Sequence, residues 1–189
     1  MELQGIEKAL SIEGWMKEEE LLWLANQAAK HQNILEIGSW QGRSSYVLAA
    51  NTPGKLLCVD TWKGTMSERA HRERLAGKGD EWLLAQFIRN VEQLPNISWL
   101  RLPSLEAATL LHSRNEPKFD MIFIDGDHEY EPVRNDILAW RPMLAEGGLF
   151  CGHDMSSAFT HTVVRALKDV LPGRHKAVGA GSIWMEIPK

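Results

Sequence analysis

Apolar and polar positions alternate along this chain in two rhythms. Over 17–30, Leu21, Leu24, Ala25 and Ala28 fall at i, i+3, i+4 and i+7, the spacing that gathers apolar side chains on one face of a helix. Glu18, Glu19 and Glu20 in its first turn suit the positive end of the helix dipole. Short apolar runs bounded by turn residues read as strands over 33–38, 55–60, 97–102, 119–125 and 149–151. Between them the helical period returns, over 44–50, 81–94, 104–111, 132–144 and 158–171. Asn51-Thr52-Pro53-Gly54, Pro95-Asn96 and Pro172-Gly173 mark breaks. Ser104 reads as an N-cap, and Pro132 suits a first turn. Two further strand-like runs follow at 175–178 and 182–187.

Strands alternating with helices predict a single α/β domain, a doubly wound and mostly parallel sheet covered on both faces. The organisation expected is an N-terminal helical segment, 1–32, packed on a core domain, 33–189. The amphipathic N-terminal segment is also a candidate contact for a homo-oligomer. Residues 61–80 have no period, and Gly64, Gly77 and Gly79 interrupt a run of charges. Such a segment is a solvated surface or a lid. As a lid, it would bring Trp62, Met66 and His71 to an acceptor, and its basic excess would favour an anionic or polyhydroxylated one.

Composition narrows the field modestly. A chain of 189 residues can bury one substantial core. A net charge of −4 gives no electrostatic reason to expect nucleic-acid binding. No apolar stretch approaches the ~18 residues of a membrane span, and Met1-Glu2-Leu3-Gln4 has no signal-peptide character. A cytoplasmic protein with no membrane partner is expected. Cys58 and Cys151 sit inside strand runs without a CxxC pattern and read as inert core thiols.

Two segments carry the chemistry. In Glu36-Ile37-Gly38-Ser39-Trp40-Gln41-Gly42-Arg43-Ser44-Ser45, a strand enters a glycine turn and then a helix, so backbone N–H groups can approach an anionic ligand or a nucleoside. Glu36 is a buried acid that needs donors. Asp60 ends the next strand, where an acid can accept hydrogen bonds from ribose hydroxyls. In Asp125-Gly126-Asp127-His128, two carboxylates and an imidazole stand at a strand's carboxyl end, and His153-Asp154 ends the next strand. These groups suit an acid–base or a metal site. Asp127 reads as a helix-start residue. His31, His71, His112, His161 and His175 carry no motif, and an exposed or locally bonded state is expected for each.

The first segment resembles the class I S-adenosylmethionine-dependent methyltransferases, whose acid, glycine and second glycine match Glu36, Gly38 and Gly42, and whose ribose-binding acid matches Asp60. The resemblance implies a Rossmann-like sheet whose last strand is antiparallel and inserts between two parallel ones. It also implies a cofactor site formed by Glu36, Gly38, Ser39, Trp40, Gly42, Ser44, Asp60 and Asp125. Ser104 and Leu105 would lie near the adenine, with Trp62 flanking it. The second segment resembles the macrocin O-methyltransferase and cephalosporin hydroxylase-like branch. By that resemblance, Asp125, His153 and Asp154 would hold a divalent metal, and His128 would serve as general base with Asp125 beside it. His153 departs from the branch's usual oxygen ligand, which leaves open a transition metal in place of magnesium, or no metal.

The reading is an S-adenosylmethionine-dependent O-methyltransferase acting on a small-molecule hydroxyl. The alternatives are a non-catalytic module that binds the adenosyl cofactor, and a nicotinamide-dependent oxidoreductase. The latter lacks its third glycine, because Arg43 stands there.

Overall fold

The computed structural model describes residues 3–65, 68–114 and 117–187. Strands β1 (Asn33–Ile37), β2 (Lys55–Asp60), β3 (Ile97–Arg101), β4 (Phe119–Ile124), β5 (Leu144–Gly152), β6 (His175–Ala177) and β7 (Trp184–Glu186) form one sheet in the order β3-β2-β1-β4-β5-β7-β6. β1 to β5 pair in parallel, while β7 runs antiparallel between β5 and β6. The last strand therefore inserts as expected. Strand order reverses between β1 and β4, the place where open α/β sheets form their ligand crevice.

Period-two alternation divides the strands between two cores. On one face Ile34, Leu56, Cys58, Met121 and Phe123 meet helices α1 (Ile6–Ser11), α2 (Glu18–Ala28), α3 (Arg43–Asn51) and α5 (Trp82–Val91). On the other, Leu35, Ile37, Val59, Ile122 and Ile124 meet α6 (Ser104–Ser113), α7 (Tyr130–Trp140) and α8 (Val163–Val170). The N-terminal helices belong to the first core, and α2 packs against α3. Leu21, Leu24, Ala25 and Ala28 are all buried there, so that stripe is not left open for a dimer contact. Both cysteines are free and buried. Among the described residues, no helix is long and apolar enough to cross a membrane.

Several elements differ from the sequence reading. α1 and a short helix, α4 (Arg69–Leu75), form where no periodicity predicted them. α7 stops at Trp140, and residues Arg141–Met143 make a 3₁₀ turn around Pro142, which cannot donate to a continuing helix. β5 starts at Leu144, well ahead of the apolar run, because a register shift between Phe119 and Met121 lets Ala145 to Gly148 bulge. Ser104 is the first helical residue and not the N-cap, which is Pro103. Its hydroxyl instead donates to Asp136 Oδ1 at 2.5 Å and accepts from Trp140 Nε1 at 2.7 Å.

Candidate active site

The glycine turn is held by contacts that the local sequence dictates. β1 ends at Ile37, and Gly38 follows with φ 84° while its N–H donates to Val59 O at 2.9 Å. A Cβ on Gly38 would lie 2.1 Å from the carbonyl oxygen of Asp125, so only glycine lets the ends of β1 and β4 approach. Asp60 organises the turn from β2. Its Oδ2 accepts from the N–H groups of Ser39 at 2.8 Å and Trp40 at 3.0 Å, and its Oδ1 accepts from Trp62 N–H at 2.7 Å. Glu36 lies beneath, fully buried, where the hydroxyls of Ser39 (2.6 Å) and Ser45 and the Cys58 thiol (3.4 Å) donate to Oε2. Burial pushes its pKa up, and those donors oppose the rise.

Above this turn, at the carboxyl ends of the parallel strands, opens a cavity of 740 Å³. Of the residues expected at a cofactor, Gly38, Ser39, Trp40, Ser44, Asp60, Ser104 and Asp125 line it. Four others do not. Glu36 supports the turn from below. Gly42 (φ 92°) faces α5, where a Cβ would meet Val91 Cγ1 at 3.0 Å, so its role is close packing. Trp62 is 1% exposed and does not line the cavity; its Nε1 donates to Trp40 O at 2.9 Å and its ring packs on Phe87. Leu105 is 45% exposed and stays off the cavity wall, because the first turn of α6 turns it outward.

Apart from His71, expected as a lid contact, the rest of the wall comes mostly from residues the sequence did not single out. Glu13, Trp15 and Met16 arrive from the N-terminal segment, and Thr65, Glu68, Ala70 and His71 from the aperiodic stretch. His71 takes the second of the two states expected for it, exposed or locally bonded. It is buried, stacks on Trp40 with ring centroids 4.4 Å apart, and accepts the Thr65 N–H at Nδ1. Burial lowers its pKa, so its neutral form is favoured. Arg74 pairs with Glu13 and lies over the Trp15 ring at 4.7 Å, which ties α4 across the cavity mouth. Arg69 and Glu73 remain on the solvated face. Met66 lies outside the described residues.

The acid–imidazole corner stands at the ends of β4 and β5. His128 lies between two carboxylates, with Nδ1 2.8 Å from Glu68 Oε1 and Nε2 2.8 Å from Asp154 Oδ2. Burial favours the neutral ring, but Asp154 and Glu68 outweigh it and push the pKa up to about 10. Asp154 adopts φ 64°, a strained value for a non-glycine residue, which aims its carboxylate at this corner. Its burial is outweighed by His128 and His153, which hold its pKa well below the usual range. Asp127 Oδ1 accepts from Glu129 N–H at 2.8 Å just ahead of α7, as a helix-start residue does.

The metal set implied by the family resemblance needs one correction. Asp125, His128 and Asp154 each offer a ligand atom, all within 4.8 Å of one another, whereas His153 is not part of that group. His153 Nε2 meets Glu20 Oε1 at 2.9 Å, a buried acid that the sequence did not flag, while its Nδ1 lies 3.4 Å from Asp125 Oδ1 and 3.3 Å from Asp154 Oδ2. Two carboxylates and an imidazole fit a divalent ion, and the imidazole favours a transition metal over magnesium.

Similarity to known proteins agrees with this layout. A solved O-methyltransferase from Bacillus cereus in complex with SAH superposes with a TM-score of 0.69 at 16% identity, covering 97% of this chain and 90% of that one. The O-methyltransferase TomG from Streptomyces achromogenes, in complex with SAM, gives 0.69 at 16% identity over 100% and 92%. At such identities the likeness speaks for the fold. An uncharacterized protein, y4gI, of Sinorhizobium fredii (strain NBRC 101917 / NGR234) is 25% identical over 138 residues. That match covers 70% of this chain but only 14% of the length of the relative. The family described as "Methyltransferase domain" matches residues 35–155, a stretch running from β1 through the glycine turn and Asp60 to the strand ends that carry Asp125 and Asp154. Since that match spans most of the chain and both halves of the cavity, this protein belongs to the methyltransferase-domain family.

Proposed function

We propose that this protein transfers a methyl group from S-adenosylmethionine to a hydroxyl of a small molecule. The observation that carries the reading is the meeting of two chemistries in one cavity, a nucleoside-sized turn organised by Asp60 and an acid–imidazole corner at Asp125, His128 and Asp154. An ionised carboxylate offers about four lone-pair sites. Three backbone N–H groups occupy Asp60, so a site remains for a ribose hydroxyl. A volume of 740 Å³ falls within the range of small-molecule sites. With a net charge of −4, nothing favours a nucleic-acid acceptor.

Methyl transfer from a sulfonium is an in-line displacement, so alignment supplies much of the rate. The acceptor oxygen forms a bond to the methyl carbon as the sulfur–methyl bond breaks, and the hydroxyl proton must leave. His128 is the group placed to take it. Flanked by two carboxylates it is protonated at neutral pH, so it becomes a base only when one of them withdraws. Glu68 is the partner proposed to leave, because it stands at the start of the short helix α4 and not at the end of a core strand. An acceptor entering the cavity would displace Glu68, which carries the Nδ1 proton away as the neutral acid, while Asp154 keeps Nε2–H; the bare Nδ1 then takes the hydroxyl proton. The Asp125, His128 and Asp154 cluster favours a second reading, in which the three hold a divalent ion that lowers the pKa of the hydroxyl and His128 acts as ligand in place of base.

The test is transfer of a labelled methyl group from S-adenosylmethionine to a panel of hydroxylated small molecules, with and without a chelator. Ether formation on one class of hydroxyl supports the proposal, and no transfer to any hydroxyl refutes it. Transfer that persists with chelator favours His128 as base; transfer lost and restored by a divalent ion favours the cluster as a metal site.

A further inference from the structure

Three segments far apart in sequence converge on one carboxylate behind the reactive corner. Glu20, in the first turn of α2, is 3% exposed. Its Oε2 accepts from Lys17 N–H at 2.7 Å and so closes the helix start. Its Oε1 accepts from the N–H of Ser182 at 2.8 Å and from the Ser182 hydroxyl at 3.2 Å, and faces His153 Nε2 at 2.9 Å. Gly181 makes the approach possible, since a Cβ there would sit 2.0 Å from Glu20 Oε1.

The backbone around His153 is fixed without Glu20. His153 N–H donates to Ile124 O at 3.0 Å, Trp184 Nε1 donates to His153 O at 3.0 Å, and Met155 N–H donates to Ser182 O at 2.9 Å. What Glu20 adds is the setting of the ring. A carboxylate can only accept, so Nε2 must carry the proton toward Glu20. The other nitrogen, Nδ1, is thereby turned to Asp125 Oδ1 at 3.4 Å and Asp154 Oδ2 at 3.3 Å, carboxylates that also only accept, so it too carries a proton. Asp154 is the carboxylate that holds His128 Nε2, and Asp125 stands beside both in the corner of the function proposed above.

We propose that Glu20 is a positioning residue for methyl transfer, which orients His153 through Nε2 and thereby holds Asp125 and Asp154 in their reactive arrangement. The inference rests on the methyl-transfer reading for its consequence, but its geometry does not. Glu20 and Ser182 both lie outside the matched stretch 35–155, so the site is completed by segments before and after the family's region.

Glu20→Gln, close in shape but uncharged, is the test, read in two ways. Nitrogen NMR of the histidine rings, which needs neither cofactor nor acceptor, reports the proton position on His153. The ring signals of His153 are expected to change, while circular dichroism stays that of a folded protein. Turnover with the acceptor found by the hydroxyl panel should fall about tenfold or more in kcat, with KM for S-adenosylmethionine within about twofold, as for loss of an outer partner of a site residue. An unchanged His153 spectrum overturns the proposal, and so does a changed spectrum with unchanged kcat. A purely structural Glu20 would lower the melting temperature and leave both readouts in place. If Glu20→Gln does not fold, Glu20→Asp, which keeps the charge but draws it back from His153 Nε2, must move the same signals; signals that stay put overturn the proposal. A wild type that transfers no methyl group would refute the function while leaving the spectral comparison readable.

Discussion

The two halves of the cavity are built in opposite ways. On the glycine-turn side, Glu36, Gly38, Ser39 and Asp60 come from two adjacent strands, and their contacts close over about twenty residues of chain. On the acid–imidazole side, Asp125, His128, His153 and Asp154 are joined by Glu20, Glu68 and Ser182, across separations of 133 and 162 residues. The first half is made mostly of backbone donors fixed by one carboxylate, which suits a rigid seat for a cofactor. The second is a web of ionisable side chains whose partners can exchange, which suits a step in which a proton moves. A seat tolerates little change of shape, whereas a proton relay tolerates little change of charge.

Mutations should break the two halves differently. The largest effect is expected at the relay, where His128→Ala should cut turnover by about 10²- to 10⁴-fold while affinity for S-adenosylhomocysteine stays within about twofold. Parallel steady-state kinetics and calorimetry check it, and unchanged turnover would remove His128 from the reaction. At the seat, Gly38→Ala forces a Cβ to within 2.1 Å of the Asp125 carbonyl oxygen at a positive φ. We expect a loss of about 1–3 kcal/mol in urea unfolding, accompanied by weakened cofactor binding. Asp60→Asn keeps the shape but turns an amide toward backbone N–H groups. Cofactor affinity should fall by about 1–3 kcal/mol in calorimetry with less change in unfolding.

The effect that sharpens the contrast is in pH dependence. A histidine whose folded pKa is raised adds stability that is complete below its ordinary value and is lost as pH rises through the folded value. For His128 that window runs from 6.5 to about 10. Wild type should therefore lose stability across it faster than His128→Ala, measured by thermal melts at fixed ionic strength. Parallel slopes would mean that His128 is not held as a cation.

The same contrast explains what the sequence made legible. The alternation of parallel strands and helices follows from local rhythm, the inserted last strand was implied by the family resemblance, and Gly38 and Asp60 stand out at strand ends. His153 was paired with Asp125 and Asp154 by family pattern, but its second nitrogen had a partner in α2 that no spacing announces. Glu20 looked like a dipole-complementing acid. The available signal was that it lies one turn before Leu24, on the buried stripe, where a carboxylate needs donors. His71 and Glu68 sit in a stretch whose short helix has too few turns to show a period. The family resemblance implied Trp62 as a ring flanking the adenine, yet its N–H donates to the turn's own backbone and its ring fills the core.

Titration calorimetry of the wild-type protein with S-adenosylhomocysteine and, separately, with NAD addresses the central claim most directly. The account predicts one site per chain for S-adenosylhomocysteine, weakened by Asp60→Asn, and no heat of binding for NAD. Binding of NAD alone, or S-adenosylhomocysteine binding indifferent to Asp60, would contradict it.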